Sequence, residues 1–191
     1  MSKPSVVVWL GLVLLTGIGC QKAAEAPPAP PPPGPRVENP QLGLAINQLP
    51  GFFKVVVNEG DQLMLEPASG EANARLALLV HPKERYGINL VAASHDYKTA
   101  IEAAGGTNYG KDPTEYASPL GTTMYNRARL AGGDAGFDEM AVFVIHPWQD
   151  RKLEFRYRYP SSDDPEVKQQ RVDQLMEVVG ETVGLGEPEG G

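Results

Sequence analysis

The sequence predicts an α+β domain with a central antiparallel sheet of about six to eight strands. Short apolar runs, separated by turn-forming residues, recur from about Val37 onward. They are grouped as hairpins and a meander, without a helix between successive strands. Two helical segments interrupt them, a shorter one in the middle and an amphipathic one near the C-terminus. Both helices are therefore expected to pack on the sheet.

The first strands are predicted where an apolar run is bounded by turn residues. Leu42–Ile46 is a short strand of this kind. Phe52–Val57 and Gln62–Glu66 flank the cluster Asn-Glu-Gly-Asp, which favours a hairpin. Arg75–Val80 and Gly87–Ala92 are similarly spaced and predict a second hairpin.

Three later runs predict a meander, namely Thr122–Leu130, Phe137–Ile145 and Lys152–Tyr159. The middle run is apolar at both odd and even positions, which is typical of a central strand that is covered on both faces. Lys152–Tyr159 alternates strictly between apolar and charged residues. One of its faces is therefore expected to meet water.

The two helices are predicted from caps and periodicity. The shorter runs from about Asp96 to Ala104, with Ser94 or Asp96 as its N-cap, and stops at Gly105. The second begins with Asp164 as N-cap and Pro165 at the first helical position. Its apolar residues recur at helical spacing: Val172, Leu175, Met176, Val179 and Val183.

Composition excludes several classes of protein. The chain has 191 residues, one cysteine and three histidines, too few ligands for a disulfide scaffold or a Cys/His zinc cage. Its 17 Lys+Arg and 24 Asp+Glu give a net charge of -7, the wrong sign for a nucleic-acid partner. The clusters Gly105-Gly106 and Gly132-Gly133 lack the spacing of phosphate or dinucleotide motifs. We expect no cofactor and no resident metal.

The N-terminus predicts export. Lys3 is followed by the apolar run Val6–Ile18, whose 13 residues fall short of the roughly 20 needed to span a membrane. Leu15–Cys20 resembles the lipobox of bacterial lipoproteins, although Gly17 stands where that family usually has leucine. The resemblance implies a signal peptide over residues 1–19 and a lipid on Cys20. The alternative is ordinary signal cleavage, which would leave Cys20 as a free thiol.

An Ala/Pro-rich tether over residues 20–36 is expected to follow the lipid. It contains seven prolines between Pro27 and Pro35, which favour extended polyproline II. Gln21 replaces the aspartate that, by resemblance to enteric lipoproteins, retains them at the inner membrane, so the outer membrane is favoured. The sequence then predicts one domain over residues 37–185 and a flexible tail over 186–191.

Short segments in the domain carry a further resemblance. Leu49–Phe52 reads Leu-Pro-Gly-Phe and Ser118–Gly121 reads Ser-Pro-Leu-Gly. Together with the order of elements and the closing helix, they resemble the PsbP-like (Mog-type) fold family, in its branch of bacterial envelope lipoproteins. The resemblance implies a central antiparallel sheet flanked by helices, and accessory or binding work instead of catalysis.

Two groups of residues are candidates for a site. Arg127, Arg129, Arg156 and Arg158 lie on the strands beside the central one and predict an anion-contact patch, the alternative being a solvated face with partners such as Glu154. His81 and His146 each precede a proline at the end of an apolar strand. They mark either turns or a divalent-metal site.

The tripeptide Ser94-His95-Asp96 contains the residues of a hydrolase triad, but consecutive side chains point apart and cannot pass a proton along. The sequence therefore predicts a non-catalytic accessory or binding module, held at the membrane by its lipid and contacting an envelope protein. The alternatives are a periplasm-facing hydrolase with an unrecognised active site, or a metal-binding module.

Overall fold

A computed structural model shows the α+β class predicted from the sequence. The structure describes residues 32, 34–71, 73–81, 89–110, 114–131, 136–146 and 151–185. The expected signal peptide, Cys20, most of the tether and the tail over 186–191 lie outside the described residues, as does Gly132-Gly133.

The described residues form two helices and two sheets. The helices are α1 (Leu90–Ala103) and α2 (Pro165–Glu181). The strands are β1 (Val37–Asn39), β2 (Leu44–Ile46), β3 (Phe53–Glu59), β4 (Gln62–Pro67), β5 (Arg75–His81), β6 (Thr107–Asn108), β7 (Thr114–Ser118), β8 (Gly121–Arg129), β9 (Phe137–Ile145), β10 (Lys152–Pro160) and β11 (Thr182–Gly184). Neither helix is long and apolar enough, among these residues, to cross a membrane.

The large sheet has eight strands and is antiparallel throughout. Its order is β3-β4-β5-β10-β9-β8-β6, and β7 also pairs with β8. The hairpin β3–β4 and the meander β8–β9–β10 confirm the prediction. A separate sheet of three strands has the order β1-β2-β11.

One face of strand β10 was predicted to be exposed to water, and the structure differs from this prediction. Lys152 and Glu154 point to that face, yet they are only 2% and 1% exposed. Both edges of β10 are paired, with β5 and β9, and α1 lies beside this face. Lys152 and Glu154 are therefore enclosed and need partners within the protein, whereas Arg156 and Arg158 on the same face keep 38% and 52% of their side chains exposed.

The register of the meander separates two cores. Even-numbered residues of β9, such as Met140 and Val142, face α2 and join the larger core with Leu175 and Val179. Odd-numbered residues of β9 face α1. Two of them, Ala141 and Phe143, belong to a smaller cluster with Leu90, Ala93, Tyr97, Ile101 and Ala128.

Helix α1 corrects two predictions. Its N-cap is Asn89, whose Oδ1 accepts a hydrogen bond from the Ala92 N–H at 3.1 Å. The helix therefore begins six residues before Asp96, and residues 90–92, predicted as part of a strand, form its first turn. The second hairpin is wrong for this reason. Ser94 is not a cap but a buried residue in the middle of the helix.

Helix α2 begins as predicted. The Asp164 side chain accepts a hydrogen bond from the Val167 N–H at 2.9 Å, and Pro165 opens the helix. Val183, predicted to lie on its apolar stripe, instead lies in β11, which pairs with β2. The short sheet therefore fixes the C-terminal end of the helix.

Two glycine substitutions test the packing. A Cβ on Gly106 would lie 2.6 Å from the Arg129 carbonyl oxygen and 2.8 Å from Ile101 Cγ2, whereas on helical Gly180 it would meet nothing within 4 Å. We expect Gly106→Ala to lower the free energy of unfolding by about 1–3 kcal/mol. The control, Gly180→Ala, should raise it by about 0.5–1 kcal/mol. Urea unfolding measures both. An unchanged Gly106→Ala midpoint would contradict the contact of α1 with β8.

Candidate functional site

The four arginines predicted to form one anion-contact patch lie on both faces of the large sheet. Neighbouring residues of a strand point to opposite faces. The register places Arg127 beside Met140, which faces α2, and Arg156 beside Ala141, which faces α1. The prediction of a single patch is therefore corrected. The arginines form two separate pairs: Arg127 with Arg129, and Arg156 with Arg158.

Three of the four guanidinium groups contact a buried carboxylate. The pairs are Arg129 Nε with Asp138 Oδ1 at 3.1 Å, Arg156 Nε with Glu154 Oε1 at 2.5 Å, and Arg158 Nη2 with Glu139 Oε2 at 3.0 Å. Arg127 forms no ion pair within the part of the chain that the structure describes; its guanidinium lies 5.2 Å from the centre of the Tyr109 ring. Arg127 is therefore available to solvent and ligands.

A cleft between α1 and β10 is the best candidate for a functional site. Its volume is about 290 Å³, and it brings together charged and aromatic side chains. The Arg156 guanidinium lies 5.6 Å from the centre of the Tyr97 ring, which meets the Phe143 ring edge-on at 5.9 Å. The remaining lining residues are Ala93, Asp96, Ala100 and Glu154.

Glu154 is a buried, charged residue that lines this cleft. It contacts Nε2 of His81 and Nε of Arg156. Burial alone would raise the pKa of Glu154, but the hydrogen bond from His81 and the charge of Arg156 outweigh it, and the pKa is lowered. Glu154 is therefore ionised at neutral pH.

Glu139 connects the same layer of charges to helix α1. It accepts a hydrogen bond from the Tyr97 hydroxyl at 3.2 Å and, through its other oxygen, two from Arg158. Burial raises the pKa of Tyr97, and the charge of Glu139 raises it further. Tyr97 therefore keeps its proton and holds α1 against the sheet.

The two histidines predicted as turn markers or metal ligands have different partners. His81 contacts Glu154, whereas His146 Nε2 donates to the carbonyl oxygens of Leu42 and Gly43 at 3.2 and 3.1 Å. Burial lowers the pKa of His146, against the effect of these carbonyls. Across the described ranges, no group of three or more His, Cys, Asp and Glu residues could hold a metal ion. The histidines therefore do not converge on a shared site.

Sequence reasoning missed the cluster around Asp138 on the α2 face. Asp138 accepts hydrogen bonds from Ser161 Oγ, Tyr109 OH and Arg129 Nε at 2.8, 2.9 and 3.1 Å, and contacts Lys168 Nζ at 3.1 Å. Burial alone would raise the pKa of Asp138, but these hydrogen bonds lower it. An acidic residue in an otherwise apolar strand was the available signal.

The pairing of Glu154 predicts a pH-dependent stability. Its pKa is lower in the folded chain, so its contribution is complete above the unfolded value of about 4.3 and is lost as the pH falls through the folded pKa. Glu154→Gln should destabilise the protein by about 1–3 kcal/mol at pH 7 and by less at pH 3. Urea unfolding at both pH values measures this difference.

The matched control is Glu66→Gln, which removes a pair with the exposed Arg75 and should cost about 0–1 kcal/mol. A Glu154→Gln effect of the same size at pH 7 and pH 3 would show that Glu154 does not stabilise the fold through its charge.

Comparisons with known proteins show the fold. No family model matches the sequence, and no curated protein does. A structure from Bacteroides thetaiotaomicron has a TM-score of 0.55 at 8% identity, covering 81% of this chain and 49% of that one. The Saccharomyces cerevisiae Ran-binding protein Mog1p has a TM-score of 0.54 at 10% identity, covering 78% of this chain and 94% of that one. This chain thus spans about half of the Bacteroides protein. The chain has a Mog1/PsbP-like fold.

Proposed function

We propose that this protein is a lipid-anchored envelope module that works by binding a partner protein. The observation that carries the proposal is the state of the charges in the α1–β10 cleft. The pKa of Glu154 is lowered, and that of Tyr97 is raised. Burial opposes the charge of Arg156, but Glu154 raises its pKa above the ordinary value. General acid–base catalysis needs a pKa near the working pH, and these three groups are shifted away from it.

Such a cleft is suited to recognition. Arg156 keeps 38% of its side chain exposed while it lies over the Tyr97 ring and pairs with Glu154. Arginine and tyrosine are enriched among the residues that dominate binding energy at protein interfaces. The volume of about 290 Å³ is suited to one or two side chains of a partner. Asp96 at the rim is exposed and adds a negative charge that selects the partner's orientation.

The lipobox-like segment supports the location. A lipid on Cys20 would anchor the chain, and the Pro-rich tether would hold the domain roughly 25–30 Å from the membrane surface. Where the described domain begins, the Gly34 N–H donates to the Leu49 carbonyl oxygen at 2.6 Å, so the chain leaving the tether is fixed to the segment before β3. The outer membrane is the proposed site, because Gln21 follows the cysteine.

The anchor is tested by Cys20→Ser. We expect the variant to leave the membrane fraction, because the acidic chain has no other proposed anchor, and to lose metabolic labelling by a fatty-acid analogue. The control is Arg75→Gln, an exposed change that keeps Cys20 and should keep both properties. Equal membrane retention of Cys20→Ser, with no labelling of either protein, would end the proposal of a lipid anchor.

The cleft is tested by site-specific photo-crosslinking in intact cells. A photoreactive residue at Ala100, which is exposed and lines the cleft, should give a discrete adduct with an envelope protein. The control position is Val56, which is 40% exposed on β3, and should not. Adding Arg156→Gln should reduce the Ala100 adduct severalfold, most strongly at low salt where screening is least. Adducts that are equal at both positions, or unaffected by Arg156→Gln, would remove the cleft as the binding site.

A further inference from the structure

We infer that the partner protein binds through an amphipathic helix with an acidic flank, which lies over β5 beside helix α1. The inference rests on the proposed function and names the element that the α1–β10 cleft receives. Helix α1 packs on β8 and β9, and α2 packs on the other side of the sheet. Within the described ranges, the α1 side of β4 and β5 therefore has no helix on it.

The strand register shows which side chains lie on this open part of the sheet. Arg156 of β10, which lies on the α1 side, pairs with Ala77 of β5, and Ala77 pairs with Met64 of β4. Glu154 likewise pairs with Leu79. Paired residues of neighbouring strands point to the same face of a sheet. Met64, Ala77 and Leu79 therefore form a patch beside the cleft, which we call the β4–β5 patch.

The β4–β5 patch is apolar although the fold does not use it as core. Each of its three residues is half-buried, and none belongs to either hydrophobic core. An antiparallel sheet face that meets water normally carries polar residues at such positions. Adjoining apolar residues that stay partly exposed are typical of contact surfaces, and methionine adapts its shape to a partner. The patch is therefore suited to a covering element from another protein.

The dimensions of this region favour a helix. The axes of β4 and β10, on either side of β5, are about 10 Å apart, which is close to the diameter of a helix. β5 is also two strands from β9, about 10 Å, and neighbouring helices pack with their axes 8–10 Å apart. A helix over β5 would thus lie next to α1 and complete a layer of two helices. The α1–β10 cleft would then be the seam between them.

The charges around the patch favour an acidic flank on that helix. The bordering arginines are Arg75, Arg156 and Arg158. Each keeps 38–56% of its side chain exposed, whereas the carboxylate that it pairs with is only 1–22% exposed. The border therefore presents donors to a partner more than acceptors, on a chain whose net charge is -7. Such a local basic border selects a partner with the opposite charge.

Arg156 has donors left for a carboxylate of the partner. Its Nε donates to Glu154, and its two terminal nitrogens donate to no group among the described residues. The two terminal nitrogens of a guanidinium can both bind one carboxylate. Because Arg156 lies between the cleft and Ala77, an acidic residue at the edge of the partner's apolar stripe would reach it.

Photo-crosslinking in intact cells tests the inference, with photoreactive residues at Met64 and Leu79 in addition to Ala100. We expect adducts at both positions with the same envelope protein that Ala100 captures. Mass spectrometry should map them to partner residues three, four or seven apart, as on one face of a helix, with Asp or Glu beside that stripe. A partner strand would instead give residues two apart.

Two variants with matched controls locate the contact. Ala77→Gln should reduce the Met64 adduct severalfold, because it places an amide in the apolar patch, whereas Val91→Gln, at an exposed position of α1, should not. Arg156→Gln should also reduce it severalfold, whereas Arg127→Gln, on the opposite face, should not. If Ala77→Gln does not fold by circular dichroism, Ala77→Thr takes its place, since threonine suits a strand.

The outcomes separate the inference from the proposed function. An Ala100 adduct without one at Met64 and Leu79 would keep the proposed function and overturn the inference. So would partner residues two apart, or a captured segment without acidic residues. An adduct within this chain, or between two copies of it, would show that the chain covers the patch itself and would also overturn the inference. No adduct at any of the three positions would overturn both.

Discussion

Burial of three carboxylates in the two central strands is the constraint on which the rest of the structure depends. Asp138, Glu139 and Glu154 are each no more than 2% exposed. An unpaired charge in such a place costs several kcal/mol, so each carboxylate has to find cationic partners. Some of those partners come from elements distant in sequence, such as Lys168 on α2 for Asp138 and His81 on β5 for Glu154. Satisfying the three charges therefore fixes how those elements are arranged on the sheet.

Each carboxylate orients a different part of the fold. Asp138 contacts Lys168 on α2, and Glu139 accepts from Tyr97 on α1. Glu154 joins β10 to β5 through His81. Apolar burial alone would tolerate small rotations of either helix, whereas these directional contacts favour one orientation. Helix α1 is thereby positioned to form one wall of the proposed binding cleft.

The same pairing gives the two faces different electrostatic character. On the α1 side, Arg156 and Arg158 are engaged with carboxylates and contribute shape and orientation as much as charge. On the α2 side, Asp138 neutralises Arg129, while Arg127 keeps its charge for another partner. This difference motivates the proposal of a protein partner for the α1 face.

Sequence was most informative where local chemistry decides structure. The turn residues Asn58–Asp61 correctly predicted a hairpin, and Asp164 with Pro165 correctly predicted the start of α2. The start of α1 could not be predicted, since the short apolar run before His95 fits a strand or a helix equally well. β1 and β11 have three residues each, too few to show a period.

The face of the large sheet to which each arginine points depends on the strand register, and the register could not be derived from the sequence alone. Arg127 and Arg156 are both on strands beside β9, but a shift of one residue in either pairing exchanges the faces. The α1–β10 cleft could not be predicted from the sequence for a related reason. It joins Tyr97 to Arg156, which are far apart in the chain and meet only once α1 has packed on the sheet.

The arrangement of the sheet and the proposed role of the α1–β10 cleft both depend on Glu154 being ionised and paired in the folded protein. Titration of its side-chain carboxyl by carbon-13 NMR, assigned with Glu154→Gln, measures this charge without reference to any partner. We predict a midpoint below the ordinary glutamate value of about 4.3. A midpoint raised toward neutral pH would contradict an ionised, paired Glu154. Glu154 would then be a group able to exchange protons in a cleft, and the α1–β10 site would have the character of an active site.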